Sequence, residues 1–412
     1  MKGDVRQLKS LPRGTINGFC DPMFDTVMDV FAENFLGRDE LGASLAITHK
    51  GEIVADLWGG MANEKTNLPW ERDTLTTVFS ATKGACAIAV HWLVERGALD
   101  LNAPISRLWP EYAQNGKGTT TLAMLLDHTA GIPALRGQLP PGAMLDWNAM
   151  VERIASEEPF FEPGTRTAYH ALTFAWTVGE LVRRATGRSL GEIFRSEIAQ
   201  PLGLDFHIGV SDAEEISVTA RYAPIQMPRV KIGRAPGESH TLGHVPGSLS
   251  ALAFLNHGSL NHNRPETRRA EIGSANGIGN ARSLALLYRP IALGQGLLQP
   301  DSIARMARVS SATHFDPVLK TGTRFGLGFM RACDNRQNTF GGDSVIIGEH
   351  AFGHVGAGGA IGFADVEAEM SFGYVMNQQG LGVMLNARGQ MLVDATYRAL
   401  GYRSNESGAW RR

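Results

Sequence analysis

Strand-like runs crowd the two ends of this chain and helical periodicity fills its middle, and that arrangement restricts the possible folds more than any other feature. Near the N-terminus, residues 42–49 and 53–59 flank Lys50-Gly51-Glu52 as the two arms of a β-hairpin would. From Phe325 onward, the segments 325–332, 344–347, 360–366 and 370–376 alternate or run apolar, as strands do. Helix-like stretches at 120–126, 146–156, 173–186, 189–198 and 281–288 lie between them. The expected fold is therefore α+β, with the two ends joined in one antiparallel sheet flanked by helices and a mostly helical subdomain inserted. The expected units are 1–115 with 310–412 for the sheet and 116–309 for the helical, loop-rich part, with a groove between them. Residues 1–20 read as irregular, 22–35 as a helix capped by Asp21, 206–272 as long loops, and 390–400 as a closing amphipathic helix.

The chemistry centres on Val78-Phe79-Ser80-Ala81-Thr82-Lys83. A β-branched and aromatic run leads into Ser80, and an Ala-rich helical segment follows to Arg96, with Gly97 as its stop. Ser80 and Lys83 are three apart, so on a helix their side chains meet. A serine hydroxyl needs a neighbour to take its proton, and a lysine held neutral by burial can do so. Gly84, Ala85 and Cys86 are small enough for a helix packed on every side. Taken alone, Ser-x-x-Lys also fits an ordinary helix start.

Composition removes several classes of function. A hydrophobic fraction of 43%, a charged fraction of 19% and a net charge of −2 are globular values. Lys and Arg are scattered, so no nucleic-acid partner and no anionic membrane surface is expected. The apolar runs fall short of a membrane span, and residues 1–7 lack the apolar core of a signal peptide. Three separated cysteines without a Cys-x-x-Cys pair read as reduced thiols, and the expected location is cytoplasmic.

Asp127-His128-Thr129-Ala130-Gly131, Pro163-Gly164-Thr165 with Tyr169, and Gly353-His354-Val355-Gly356-Ala357-Gly358-Gly359-Ala360 join Ser80-x-x-Lys83 in a fixed order. Together they resemble the serine β-lactamase and penicillin-binding-protein superfamily, most of all the class C-like branch with the family VIII carboxylesterases. The resemblance runs from about Gly42 to Leu400. It implies the β-lactamase/transpeptidase-like fold, with Ser80 as the acylated nucleophile and Lys83 as its activating partner. It implies Tyr169 as the second proton carrier, a phenol made usable by a nearby cation. It also implies an oxyanion hole from the backbone N–H groups of Ser80 and Ala357, and needs no cofactor and no metal.

Two departures bear on substrate. Tyr169-His170-Ala171 lacks the asparagine of the family's Tyr-x-Asn, which argues against efficient β-lactam hydrolysis. A literal Lys320-Thr321-Gly322 is followed by a strand start rather than a turn, whereas His354-Val355-Gly356 carries the Gly-rich continuation of the third motif. With His354 in the lysine's place the groove loses a fixed positive charge, and a neutral imidazole suits uncharged small-molecule esters. His354, Gly356 and His170 are the expected substrate contacts. Trp147, with Phe160 and Phe161, is a candidate wall of an acyl pocket, although lone aromatics fit a core equally well.

Other constellations carry less. No Gly-x-Ser-x-Gly is present for a Ser-His-Asp hydrolase. His240/His244 and His350/His354 share a metal-like spacing but sit in Gly-rich, non-helical surroundings, so they read as loop histidines. His128 reads as a structural hydrogen-bonder, and Asn276-Gly277-x-Gly279 as a turn. The expected activity is that of a serine carboxylesterase. An acyltransferase, a weak β-lactamase or D-aminopeptidase, and a catalytically silent binding protein are the alternatives.

Overall fold

The computed structural model describes residues 5–228, 245–338 and 343–412. Its N-terminal part gives β1 (Arg6–Ser10), β2 (Thr15–Cys20), β3 (Gly42–His49), β4 (Glu52–Asn63) and β5 (Leu68–Pro69). Three short strands, β6 (Thr76–Thr77), β7 (Phe206–His207) and β8 (Ile278–Gly279), form a separate small sheet in the order β6-β8-β7. The C-terminal part gives β9 (Ser311–Thr313), β10 (Thr323–Phe325), β11 (Met330–Arg331), β12 (Phe352–Val355), β13 (Ile361–Asp365) and β14 (Met370–Met376). The main sheet runs β1-β2-β4-β3-β14-β13-β12-β11-β10-β9, with β5 on β4.

The two chain ends meet at β3 and β14, which pair antiparallel from Ala43↔Met376 to His49↔Met370. Every residue of β14 is buried, so both faces of the sheet centre are covered and apolar residues need not alternate there. The helix Ala281–Ala292 packs on β3, β13 and β14, and the helices Asp25–Gly37 and Ala387–Ala399 pack on each other. Arg388 of the last helix pairs with buried Glu40 at 2.9 Å, and Glu40 also accepts from the Tyr374 hydroxyl of β14.

The helix Ala81–Glu95 carries Ser80 at its N-cap and packs against β12 and β13. Twelve of its residues are buried, which is why its sequence is apolar on nearly every side rather than striped. The helices Leu122–Leu126, Trp147–Ser156, Phe174–Thr186 and Leu190–Phe194 follow near the expected places. The helix Ala281–Ala292 falls inside the 116–309 stretch yet lies on the sheet.

Several expectations need correction. Residues 6–20 are not irregular but form an edge ribbon, β1 and β2, whose mixed exposure erases apolar alternation. The 206–272 stretch holds the helices Asp212–Arg221, Leu249–Leu255 and Pro265–Arg269, and the Ser211/Glu214 capping box marks the first of them. Segment 325–332 is split into β10 and β11, paired at Phe325↔Met330 around a turn. Residues 344–347 make only isolated bridges, Cys333↔Val345 and Ser344↔Leu385. Asn276-Gly277-x-Gly279 leads into β8 instead of closing a turn. His240 and His244 lie outside the described residues.

Candidate active site

Ser80 is held by the residue before it. Phe79 has φ +47°, a left-handed conformation that costs a non-glycine residue about 1 kcal/mol or more. Three bonds fix that turn: Val78 N–H donates to Gly277 O at 2.9 Å, Thr82 N–H donates to Phe79 O at 3.0 Å, and Gly277 N–H donates to Thr82 Oγ1 at 2.8 Å. Ser80, half-buried, therefore projects from the first turn of a rigid helix.

Lys83 is 0% exposed, and burial holds its amine well below the ordinary lysine pKa. Its Nζ lies 2.8 Å from Ala171 O, 2.8 Å from Ser274 O and 3.2 Å from Ser80 Oγ. The two carbonyls can only accept, so each takes an N–H of the amine; in the neutral form, which burial favours, the remaining lone pair faces the serine hydroxyl. Neither Ala171 nor Ser274 was legible as a partner of Lys83, because a backbone carbonyl leaves no trace in side-chain chemistry.

Tyr169 lies over the lysine, with Nζ 4.7 Å from the ring centroid. Its hydroxyl is buried without a regular hydrogen bond. Burial pushes the phenol's pKa well up; Ser80 opposes that shift and Asp316 adds to it. Burial thus works against a lysine-stabilised phenolate, since desolvation disfavours the charged form of both groups. Asp316, absent from the sequence reading, fixes the Tyr169 backbone by accepting its N–H at 2.9 Å. The same carboxylate accepts from Val318 and Leu319, and burial raises its pKa to about 6.

His354 sits in β12, 1% exposed, its ring 6.1 Å from that of Tyr169. Its Nδ1 is 2.8 Å from Val355 O, which can only accept, so the proton is on Nδ1 and Nε2 carries a buried lone pair. Burial and nearby Lys83 lower its pKa to about 3, so the ring is neutral. The loop-histidine reading of His354 is thereby corrected: it belongs to a central strand. Gly356 runs so close to the nucleophile turn that a Cβ there would overlap Val78 O. Ala357 opens the short 3-10 turn that follows, and neither its N–H nor that of Ser80 meets an acceptor among the described residues.

The literal Lys320-Thr321-Gly322 is placed elsewhere. Lys320 stands at φ +59° in the turn before β10, with its ammonium over the Phe315 ring. Between β10 and β12 lies β11. His170 is 0% exposed and its Nε2 accepts from Ile132 N–H at 3.2 Å. Trp147 packs on Gly179 and donates its indole N–H to Glu180 at 2.9 Å. Both side chains are therefore engaged in packing, and neither lines the groove beside Ser80 described below. His128 accepts from His170 N–H at 3.2 Å, in line with a structural part. A cleft of about 1220 Å³ lined by residues of β9, β10 and β11 includes none of Ser80, Lys83 and Tyr169.

Among the described residues no group of His, Cys, Asp and Glu could hold a metal ion, and no helix is long and apolar enough to cross a membrane. The Beta-lactamase family model matches residues 24–395. Esterase/beta-lactamase LipL of Mycobacterium tuberculosis (strain ATCC 25618 / H37Rv) is 34% identical over 372 residues, covering 88% of this chain and 82% of its own. The crystal structure of a family VIII carboxylesterase superposes with a TM-score of 0.80 at 35% identity, covering 93% of this chain and 99% of that one. A penicillin-binding protein homolog from Caulobacter crescentus gives 0.81 at 34% identity, with 93% and 99% covered.

Proposed function

The chain belongs to the Beta-lactamase family and is a serine hydrolase, and from that premise we propose that it is a carboxylesterase acting through an acyl-enzyme on Ser80. The observation that carries this reading is the placement of Lys83, buried with its Nζ 2.8 Å from two backbone carbonyls and 3.2 Å from Ser80 Oγ, where burial lowers its pKa and so favours the neutral amine that can take the serine's proton. Ser80 Oγ bonds to the ester carbonyl carbon while its proton passes to Lys83 Nζ. The oxyanion is met by the N–H groups of Ser80 and Ala357, each worth about 2.7–4 kcal/mol in such a site. The helix N-terminus at Ser80 adds a favourable dipole. When the C–O bond to the alcohol breaks, Tyr169 hands a proton to the leaving oxygen and Lys83 restores it. Water then attacks the acyl-enzyme by the reverse route, releasing the carboxylic acid.

Uncharged esters are favoured over β-lactams for an electrostatic reason. His354 is neutral in the third motif and Ala171 supplies no amide side chain, so no fixed cation or amide stands ready for a carboxylate or acylamino group. Hydrolysis of p-nitrophenyl acetate and of nitrocefin by wild type and Ser80→Ala tests the assignment. Ester turnover lost in Ser80→Ala, with nitrocefin slow, is the expected result. Rapid nitrocefin turnover would overturn the reading of His354 and Ala171. Ester hydrolysis persisting in Ser80→Ala would overturn the nucleophile.

A further inference from the structure

Resting on the esterase reading, we infer that a groove of about 840 Å³ beside Ser80 holds a large, uncharged apolar group of the ester, of the size of a medium-length alkyl chain or an aryl ring. Phe79, the residue before the nucleophile, and Ala357, the proposed oxyanion donor, form part of its wall, which places the groove next to the nucleophile turn although Ser80 itself is not among its lining residues. Ile225, Met227, Leu260 and Val383 supply apolar surface, beside the polar side chains of Ser259, Asn261 and Gln379. The volume lies in the range of sites that enclose drug-sized ligands and far exceeds the need of an acetyl group.

The walls are built. Segment 225–227 is tied to the chain that continues β14: Gln226 N–H donates to Asn377 O at 2.8 Å and Gln379 N–H donates to Gln226 O at 2.9 Å. Opposite, Asn263 holds Ile225 through both ends of its amide, at 2.8 and 3.0 Å. Its Oδ1 also accepts from the Tyr222 hydroxyl at 3.2 Å. The amide is therefore spent on the scaffold and offers little to a ligand. His262 meets the Phe79 ring edge-on at 4.8 Å, and burial lowers its pKa to about 4, so it too is uncharged at neutral pH. Among the described lining residues there is no Lys, Arg, Asp or Glu. A charged group would enter this wall without a partner, whereas an apolar one gains by leaving water.

The test uses the whole enzyme and two ester series. In one, p-nitrophenyl esters from acetate to decanoate vary the acyl chain; in the other, acetate esters of ethanol to octanol vary the alcohol. For wild type, kcat/KM is expected to climb about two- to fourfold per methylene in one series. The series that climbs identifies which side of the ester fills the groove. Leu260→Trp and Val383→Trp, both at half-buried positions, should narrow it. Each should cut the long-to-short kcat/KM ratio in that series at least tenfold. Flat dependence in both series, or an undiminished ratio in both variants, would overturn the inference while acetate turnover left the esterase reading standing. Failure of every ester to turn over would overturn both.

Discussion

Replacing Tyr169 by Phe separates what the site does from what the fold needs. The Tyr169 hydroxyl is buried and makes no regular hydrogen bond, so its removal breaks only its polar contact with Ser80. A buried unsatisfied polar group costs about 1–3 kcal/mol, and deleting it recovers part of that. The ring keeps its place, stacked on Phe325 at 9° and edge-on to His128, with its backbone N–H still held by Asp316. The variant should therefore unfold at the same or a higher urea concentration, with a gain of up to about 1 kcal/mol. Catalysis should move the other way. A positioned proton carrier is worth about 10²–10⁴ in rate, or about 3–5 kcal/mol of barrier. Urea unfolding midpoints and kcat/KM for p-nitrophenyl acetate, measured on one preparation, give both readouts. A loss of stability above about 1 kcal/mol with kcat/KM within tenfold of wild type would refute the reasoning, because it would make Tyr169 a packing residue.

Three further outcomes follow from the same geometry. Because burial holds Lys83 well below its ordinary pKa and the neutral amine is the base, kcat/KM should rise with pH and level off above the folded-state pKa. Stability should rise above that pKa, where kcat/KM has levelled off, since between it and about 10.4 the unfolded chain binds the extra proton; pH-dependent urea unfolding of Lys83→Met against wild type checks the sign. His354→Lys should place a cation beside Lys83, lower p-nitrophenyl acetate turnover at neutral pH, and raise the nitrocefin-to-ester ratio, read in paired assays. Gly84→Ala should destabilise by about 1–3 kcal/mol, because a Cβ there overlaps the Tyr288 hydroxyl; thermal unfolding reads the cost.

What could be read from the sequence were features with a period or a signature. The hairpin β3–β4 and the strands β13 and β14 announced themselves through apolar runs, and Ser80, Lys83 and Tyr169 through spaced motifs. What could not be read had neither. The edge ribbon β1–β2 is held by backbone pairing such as Arg6↔Gly18, with side chains that are half exposed. The helix Asp212–Arg221 buries a single residue, Val218, so its stripe is too thin to register, and only the Ser211 cap gave it away. Trp147 shows the converse failure: an aromatic beside a loop reads as a pocket wall until its indole N–H is found on Glu180.

The electrostatics of the site were legible in part, and the missing part changes the chemistry. The sequence suggests a lysine held neutral by burial as the serine's base, and the resemblance adds a tyrosine whose phenolate a nearby cation would stabilise, a phenolate–ammonium pair. That pair needs solvent or a counter-charge to exist, and the structure provides neither at Lys83, only two carbonyl oxygens that accept from the amine. A protonated Lys83 would have to aim its third N–H at Ser80 and would hold the serine's proton in place. A neutral amine, the form that burial favours, would do the opposite and offer its lone pair across the 3.2 Å between Nζ and Ser80 Oγ. His354 extends the same logic to the substrate side, because its Nδ1–H is committed to Val355 and its Nε2 presents a lone pair instead of a charge. Among the described residues, the groove's walls carry no Lys, Arg, Asp or Glu and have little to offer an anion. The site concentrates its favourable charge on the oxyanion, which forms only as the ester reacts.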